Sequence, residues 1–164
     1  MSRNRSGWLL PASLLVALIL GLVPLPEVVA PLRPYWLGLV ACYWLIEAPE
    51  RAGLGFAFLI GLLGDLVYGT LLGEQALRLV MLAFIVQRFR ARLRFFPLWQ
   101  QALAIGALLL NDRVIAAAVR LASGDGLPYW PFWISPLVGT ALWPWLFLAL
   151  DDLRLRLRSA PAKG

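Results

Sequence analysis

The chain has 164 residues, 61% of them hydrophobic and 15% charged, with mean hydropathy +0.77 and net charge +6. A soluble domain is ~45–50% apolar and ~25% charged, so a water-borne globule is excluded and lipid must cover much of the surface. Histidine is absent, Cys42 is the lone cysteine and Lys163 the lone lysine. That removes the commonest general base and metal ligand, an internal disulfide and a lysine nucleophile within the apolar segments.

A helix needs ~20 mostly apolar residues to cross a bilayer, and hydropathy with punctuation predicts an all-α, polytopic membrane protein of about six such helices. The spans expected in chain order are residues 8–24, 35–48, 52–72, 75–89, 98–122 and 131–150, which leaves no room for a soluble domain. The first run, Trp8 to Val23, follows Arg3 and Arg5 as a signal peptide would. Pro24 and Pro26 crowd the place of a cleavage site, so it reads as an uncleaved first span. Pro31 and Pro34 complete a poor helix in the first loop, Pro49 separates spans two and three, and Pro97 precedes span five. Gly124, Gly126 and Pro128 break the chain before span six. Spans two and four are short enough to be tilted or partial.

Orientation follows from basic residues in the loops. Arg3 and Arg5, then Arg51, then Arg88, Arg90, Arg92 and Arg94, then Arg154, Arg156, Arg158 and Lys163 fall on one side if the spans number six. The other side has Arg33 against Glu27, Glu74 and Asp125. An odd count would put a basic segment on the wrong side. The reading is an even count with both termini cytoplasmic. Trp8, Trp44 and Trp99 near one set of span ends, and Tyr35, Trp36, Tyr129, Trp130 and Trp133 near the other, form the aromatic belts of a membrane interface.

Among the features that carry chemistry, Gly61, Gly64, Gly69 and Gly73 suggest close helix packing, the last two as a G-x-x-x-G pair, and this face with Asp65, together with the Trp143-Pro144-Trp145 segment, is the expected surface for a partner. A carboxylate deep in a span is costly unless paired, protonated or wetted. Asp65 therefore reads as a polar lock between helices, or else as part of a site. In span five, Asp112 and Arg113 are ionisable groups that should face protein or water, whereas Arg120 can snorkel to the interface. The expected buried polar pair joins Asp65 or Asp112 to Arg113. Glu74 and Arg78, four apart with the acid first, read as a local helix pair with no further role. Trp143-Pro144-Trp145 predicts a kink with rings poised to pack on a neighbour.

The alternating runs Arg88, Arg90, Arg92, Arg94 and Arg154, Arg156, Arg158 read as contacts for anionic lipid headgroups that also set topology, with docking to a cytoplasmic partner as the alternative. Each run is expected as a short interfacial helix or an extended segment. In this setting the positive charge points to lipid and not to nucleic acid. No nucleotide-binding loop, G-x-S-x-G elbow or H-E-x-x-H motif occurs. Two intramembrane aspartates raise the membrane aspartyl proteases, but the Asp65 region lacks their G-x-G-D spacing. A lipoprotein signal peptidase has four spans. No catalytic residue, metal site or cofactor is expected.

The order of motifs carries a resemblance. Arg33-Pro34-Tyr35-Trp36 opens span two and Tyr43-Trp44 closes it, followed by Pro49. Then come Gly61-x-x-x-Asp65, Leu72-Gly73, Ala76-Leu77, Leu98-Trp99-Gln100-Gln101-Ala102-Leu103, Asp112 and Leu142-Trp143-Pro144-Trp145. From about Pro34 to Leu150 this resembles the rod-shape-determining MreD family of Gram-negative bacteria. One departure is Tyr35, where that family often has a polar residue. The resemblance implies a non-enzymatic inner-membrane component of the lateral peptidoglycan-synthesis complex, or elongasome. It implies MreC as partner, and work beside RodA, a class B penicillin-binding protein and MreB. The family in turn resembles the six-helix substrate-binding components of energy-coupling-factor transporters, which implies an alternative role as a binder of a small ligand or lipid. The spans hold few polar groups for a hydrophilic-substrate pocket, and the scaffold is the reading that fits.

Overall fold

A computed structural model describes residues 7–159, so Arg3, Arg5 and Lys163 lie outside the described residues. Among those residues the fold is all-helical, with six α-helices: α1 (Leu9–Leu22), α2 (Trp36–Glu47), α3 (Leu54–Tyr68), α4 (Glu74–Phe95), α5 (Leu98–Ala122) and α6 (Ser135–Ser159). Short 3-10 turns, Ala30–Leu32 and Trp130–Trp133, precede α2 and α6.

Local chemistry sets most of the helix ends. Pro24 and Pro26 prevent α1 from continuing beyond Val23. Gly69, at φ 66°, ends α3 in the left-handed conformation that glycine adopts without strain. Thus α3 stops short of residue 72, where hydropathy alone would carry it. Pro97 caps α5, whose first turn closes from Gln101 N–H to the Pro97 carbonyl. Nothing comparable interrupts the arginine runs, and both are continuous helix: α4 reaches Phe95 and α6 reaches Ser159. At about 1.5 Å per residue, the 22 residues of α4 make it about 33 Å long, far from the short span its apolar stretch suggested.

Consecutive helices alternate in direction. Side-chain contacts fix the register: Trp44 with Ser13 joins α2 to α1, Arg78 with Asp112 joins α4 to α5, and Trp143 with Gln101 joins α6 to α5. Helix α2 is the axis. Its 12 residues span about 18 Å and are buried from Leu37 through Ile46, against α1, α4, α5 and α6. A helix apolar on every side needs neighbours on every side, and here other helices supply them.

Outward faces are apolar as well. Phe58, Leu59 and Leu66 on α3, Leu103 and Leu110 on α5, and Leu137, Trp145 and Leu148 on α6 are all exposed. Patches of this extent do not occur on ordinary water-facing proteins. The segments Leu98–Ala122 and Trp130–Ser159 are long and apolar enough to cross a membrane, while Leu9–Leu22 and Leu54–Tyr68 are apolar but shorter. Helix length by itself therefore supports two crossings.

Candidate functional site

The polar residues of the bundle concentrate at its two ends. The end formed by the close of α1 and α3 and the starts of α2, α4 and α6 is called distal, since it lies opposite the start of α1 and the end of α6. There Asp65, 2% exposed, accepts hydrogen bonds from the Thr70 hydroxyl (2.7 Å) and from the backbone N–H groups of Gly73 and Gln75 (2.8 Å each). A carboxylate at the first turn of α4 satisfies N–H groups the helix cannot pair and complements its dipole. The Gln75 side chain accepts from the Tyr35 hydroxyl at 2.6 Å, and the Tyr35 ring lies 4.6 Å from the Arg78 guanidinium. Arg78 grips Asp112 with two hydrogen bonds, Nε to Oδ1 at 2.8 Å and Nη2 to Oδ2 at 2.6 Å. Both residues are buried, and Glu74 stands 3.8 Å from the same guanidinium.

This geometry redraws the expected polar pair. Asp112 is buried and paired, but its partner is Arg78 of α4 and not its neighbour Arg113. Adjacent residues on a helix point about 100° apart, so Asp112 faces α4 while Arg113 turns to the Phe132 ring, 4.5 Å from its centroid. Among the described residues Asp65 pairs with no arginine; it holds the α3–α4 turn together. Arg78 was legible only as the partner of Glu74. The signal for more was the need of a buried guanidinium for a second carboxylate, which Asp112 supplies.

The glycines divide into two kinds. A Cβ on Gly61 would fall onto the Ala76 backbone, and one on Gly64 would come within 3.2 Å of Leu37, so these two residues permit α3 to close on α4 and α2. Gly69 and Gly73 do not pack helices. Each has a positive φ (66° and 101°), stands in the turn, and has open space where a Cβ would be. The G-x-x-x-G spacing there reflects backbone conformation.

The Trp143-Pro144-Trp145 motif sends its rings to different places. Trp143 is fully buried and donates to the Gln101 side-chain oxygen at 3.0 Å, while the Gln101 amide donates to the Leu93 carbonyl at 3.0 Å. The two most distinctive sequence motifs thus meet in one buried contact linking α4, α5 and α6. Trp145 faces outward, 74% exposed.

At the other, proximal end, where α1 starts and α6 finishes, not every arginine is free for headgroups. Arg90 turns inward to the Ile46 carbonyl at 2.8 Å, capping α2. Arg154 bonds Glu47 at 3.1 Å and approaches Asp151 at 3.5 Å, while Asp151 accepts from Tyr43 at 3.3 Å. Arg156 pairs with Asp152 in the open, and Arg88, Arg92, Arg94 and Arg158 are exposed.

The comparisons agree with the motif order. The chain matches the family model described as rod shape-determining protein MreD over residues 2–152. It is 31% identical over 143 residues to the rod shape-determining protein MreD of Haemophilus influenzae, covering 87% of this chain and 88% of that protein. No solved structure matches it significantly. Both the extent of the match and its level place the chain in the MreD family: it is a membrane component of the bacterial machinery that determines rod shape.

Proposed function

We propose that this chain is a non-enzymatic, multi-pass scaffold of the inner membrane, that it binds MreC, and that it helps to organise RodA, the class B penicillin-binding protein and MreB around it. The observation that carries this reading is the distribution of polarity. The outward faces of α3, α5 and α6 are apolar, and the fully buried polar side chains Asp65, Arg78, Gln101 and Asp112 are spent on holding the helices to each other. Such a molecule acts through helix surfaces within the bilayer. Six crossings, short α2 being sheathed by its neighbours, put every arginine-rich segment on one side. The excess of arginine makes that side cytoplasmic, with both chain ends on it.

A structural role is supported by the engagement of both buried carboxylates. Asp65 is taken up by backbone N–H groups and Asp112 by Arg78, so neither is disposed to share a proton with the other or to activate water. The small-residue face at Gly61 and Gly64 is covered by α4 and α2, and of the exposed apolar faces we assign the MreC contact to that of α6, where Trp145 offers the largest outward ring. Co-purification tests it. MreC is expected to elute with the wild-type protein in a fixed ratio, and Trp145→Ala should reduce retention severalfold without changing the yield. Full retention by Trp145→Ala would move the contact elsewhere. Absence of MreC together with a stoichiometric bound small molecule would replace the scaffold by a ligand binder.

A further inference from the structure

The distal end holds a cavity of about 640 Å³, within the ~300–1,000 Å³ range of small-molecule sites. Arg33, Arg78 and Arg113 line it, and Glu27, an exposed residue of the first loop, is the one carboxylate among its lining residues. The charge of Arg78 is matched by Asp112. Arg33 donates to the Gly21 and Val23 carbonyls, which hold its guanidinium in place without cancelling its charge. Arg113 makes no ion pair among the described residues and rests on Phe132. Two preoriented guanidinium groups therefore remain for an anion, and the planar fork of arginine suits phosphate. A second cavity of about 360 Å³, walled by Leu20, Val23, Leu25, Val29 and Leu32, adjoins the first and shares Arg33, Pro34 and Trp36 with it. A charged chamber joined to an apolar one has the polarity of a molecule with a phosphate head and a hydrocarbon tail.

We infer that these joined cavities bind a phosphate-bearing amphiphile, with its phosphate taken by Arg33 and Arg113 and its hydrocarbon laid along the Val23–Leu32 wall. The site is separate from the arginine runs at the proximal end. It requires neither MreC binding nor a particular orientation in the membrane.

Native mass spectrometry of the detergent-released protein tests the inference, using phosphatidylglycerol, the matching diacylglycerol and inorganic phosphate as probes. Phosphatidylglycerol should be retained by the wild type and lost by about tenfold or more in Arg113→Gln, with Arg113→Lys in between because it keeps the charge but not the fork. Arg33→Gln should lose as much; because Arg33 also caps α1, Arg113→Gln decides the matter if that variant does not fold. Replacing Arg88, Arg92 and Arg94 together by glutamine should leave this retention unchanged. Equal retention by the wild type and Arg113→Gln would overturn the proposal, as would diacylglycerol binding as tightly as phosphatidylglycerol. Inorganic phosphate binding as tightly as the lipid would overturn the amphiphile and leave a free-anion site. Loss on removing the proximal arginines would assign the lipid to the other end.

Discussion

The two ends of the bundle handle charge in opposite ways. At the distal end the fully buried charges are committed to partners, Arg78 to Asp112 and Asp65 to the α4 backbone, while Arg33 and Arg113 border the cavity with no ion pair among the described residues. At the proximal end, among the described residues, most arginines lie open, and only Arg90 and Arg154 are drawn inward, to a helix carbonyl and to Glu47. Burial decides how much each contact matters. A buried ion in a low-dielectric setting depends on its partner, whereas an exposed one has water and lipid headgroups to replace it.

That contrast can be broken by substitution, and the largest effect is expected at the distal pair. Asp112→Ala leaves the Arg78 guanidinium buried without its main counter-charge. It should destabilise the detergent-solubilised protein by about 3–5 kcal/mol, read as a fall in the thermal midpoint of monodisperse elution. The double variant Arg78→Met, Asp112→Leu should recover most of that loss, because two apolar groups of similar size need no partners. A double variant as unstable as Asp112→Ala would show that the pair contributes something beyond charge compensation.

Arg154→Ala sharpens the proximal half of the comparison. Its side chain is 13% exposed and Glu47 is 12% exposed, so the expected cost is intermediate, about 1–3 kcal/mol, and Glu47→Gln should remove part of the same contribution. The two substitutions should be non-additive in a double-mutant cycle. Smallest of all is Arg156→Ala. Its ion pair with Asp152 joins side chains 77% and 61% exposed, and its thermal midpoint should match the wild type. An Arg156→Ala effect as large as that of Asp112→Ala would abolish the distinction between the ends.

Much of the site was legible in the sequence, for reasons tied to particular residues. Asp65 and Asp112 stood out because a carboxylate in an apolar helix demands a partner. Gly61 and Gly64 stood out because small residues permit close helix approach. What spacing could not supply was the choice of partner. Arg113 adjoins Asp112 in sequence, but helix geometry turns it to another face, and Arg78 reaches Asp112 because α4 and α5 run antiparallel side by side. Gly69 and Gly73 have a helix-packing spacing, yet the chain passes through them in a turn, and their positive φ values assign them a backbone role.

The sequence by itself determined the solvent of this protein, its helical class and the asymmetry of its charge, because these depend on composition and on one-dimensional pattern alone. Tertiary structure decided that α2 is wholly enclosed, that Gln101 and Trp143 share one buried bond, and that Arg33 and Arg113 border the same cavity. Those facts depend on which helix faces meet across 40 or more intervening residues. Such meetings are selected by close packing of many side chains at once, and no local pattern records them.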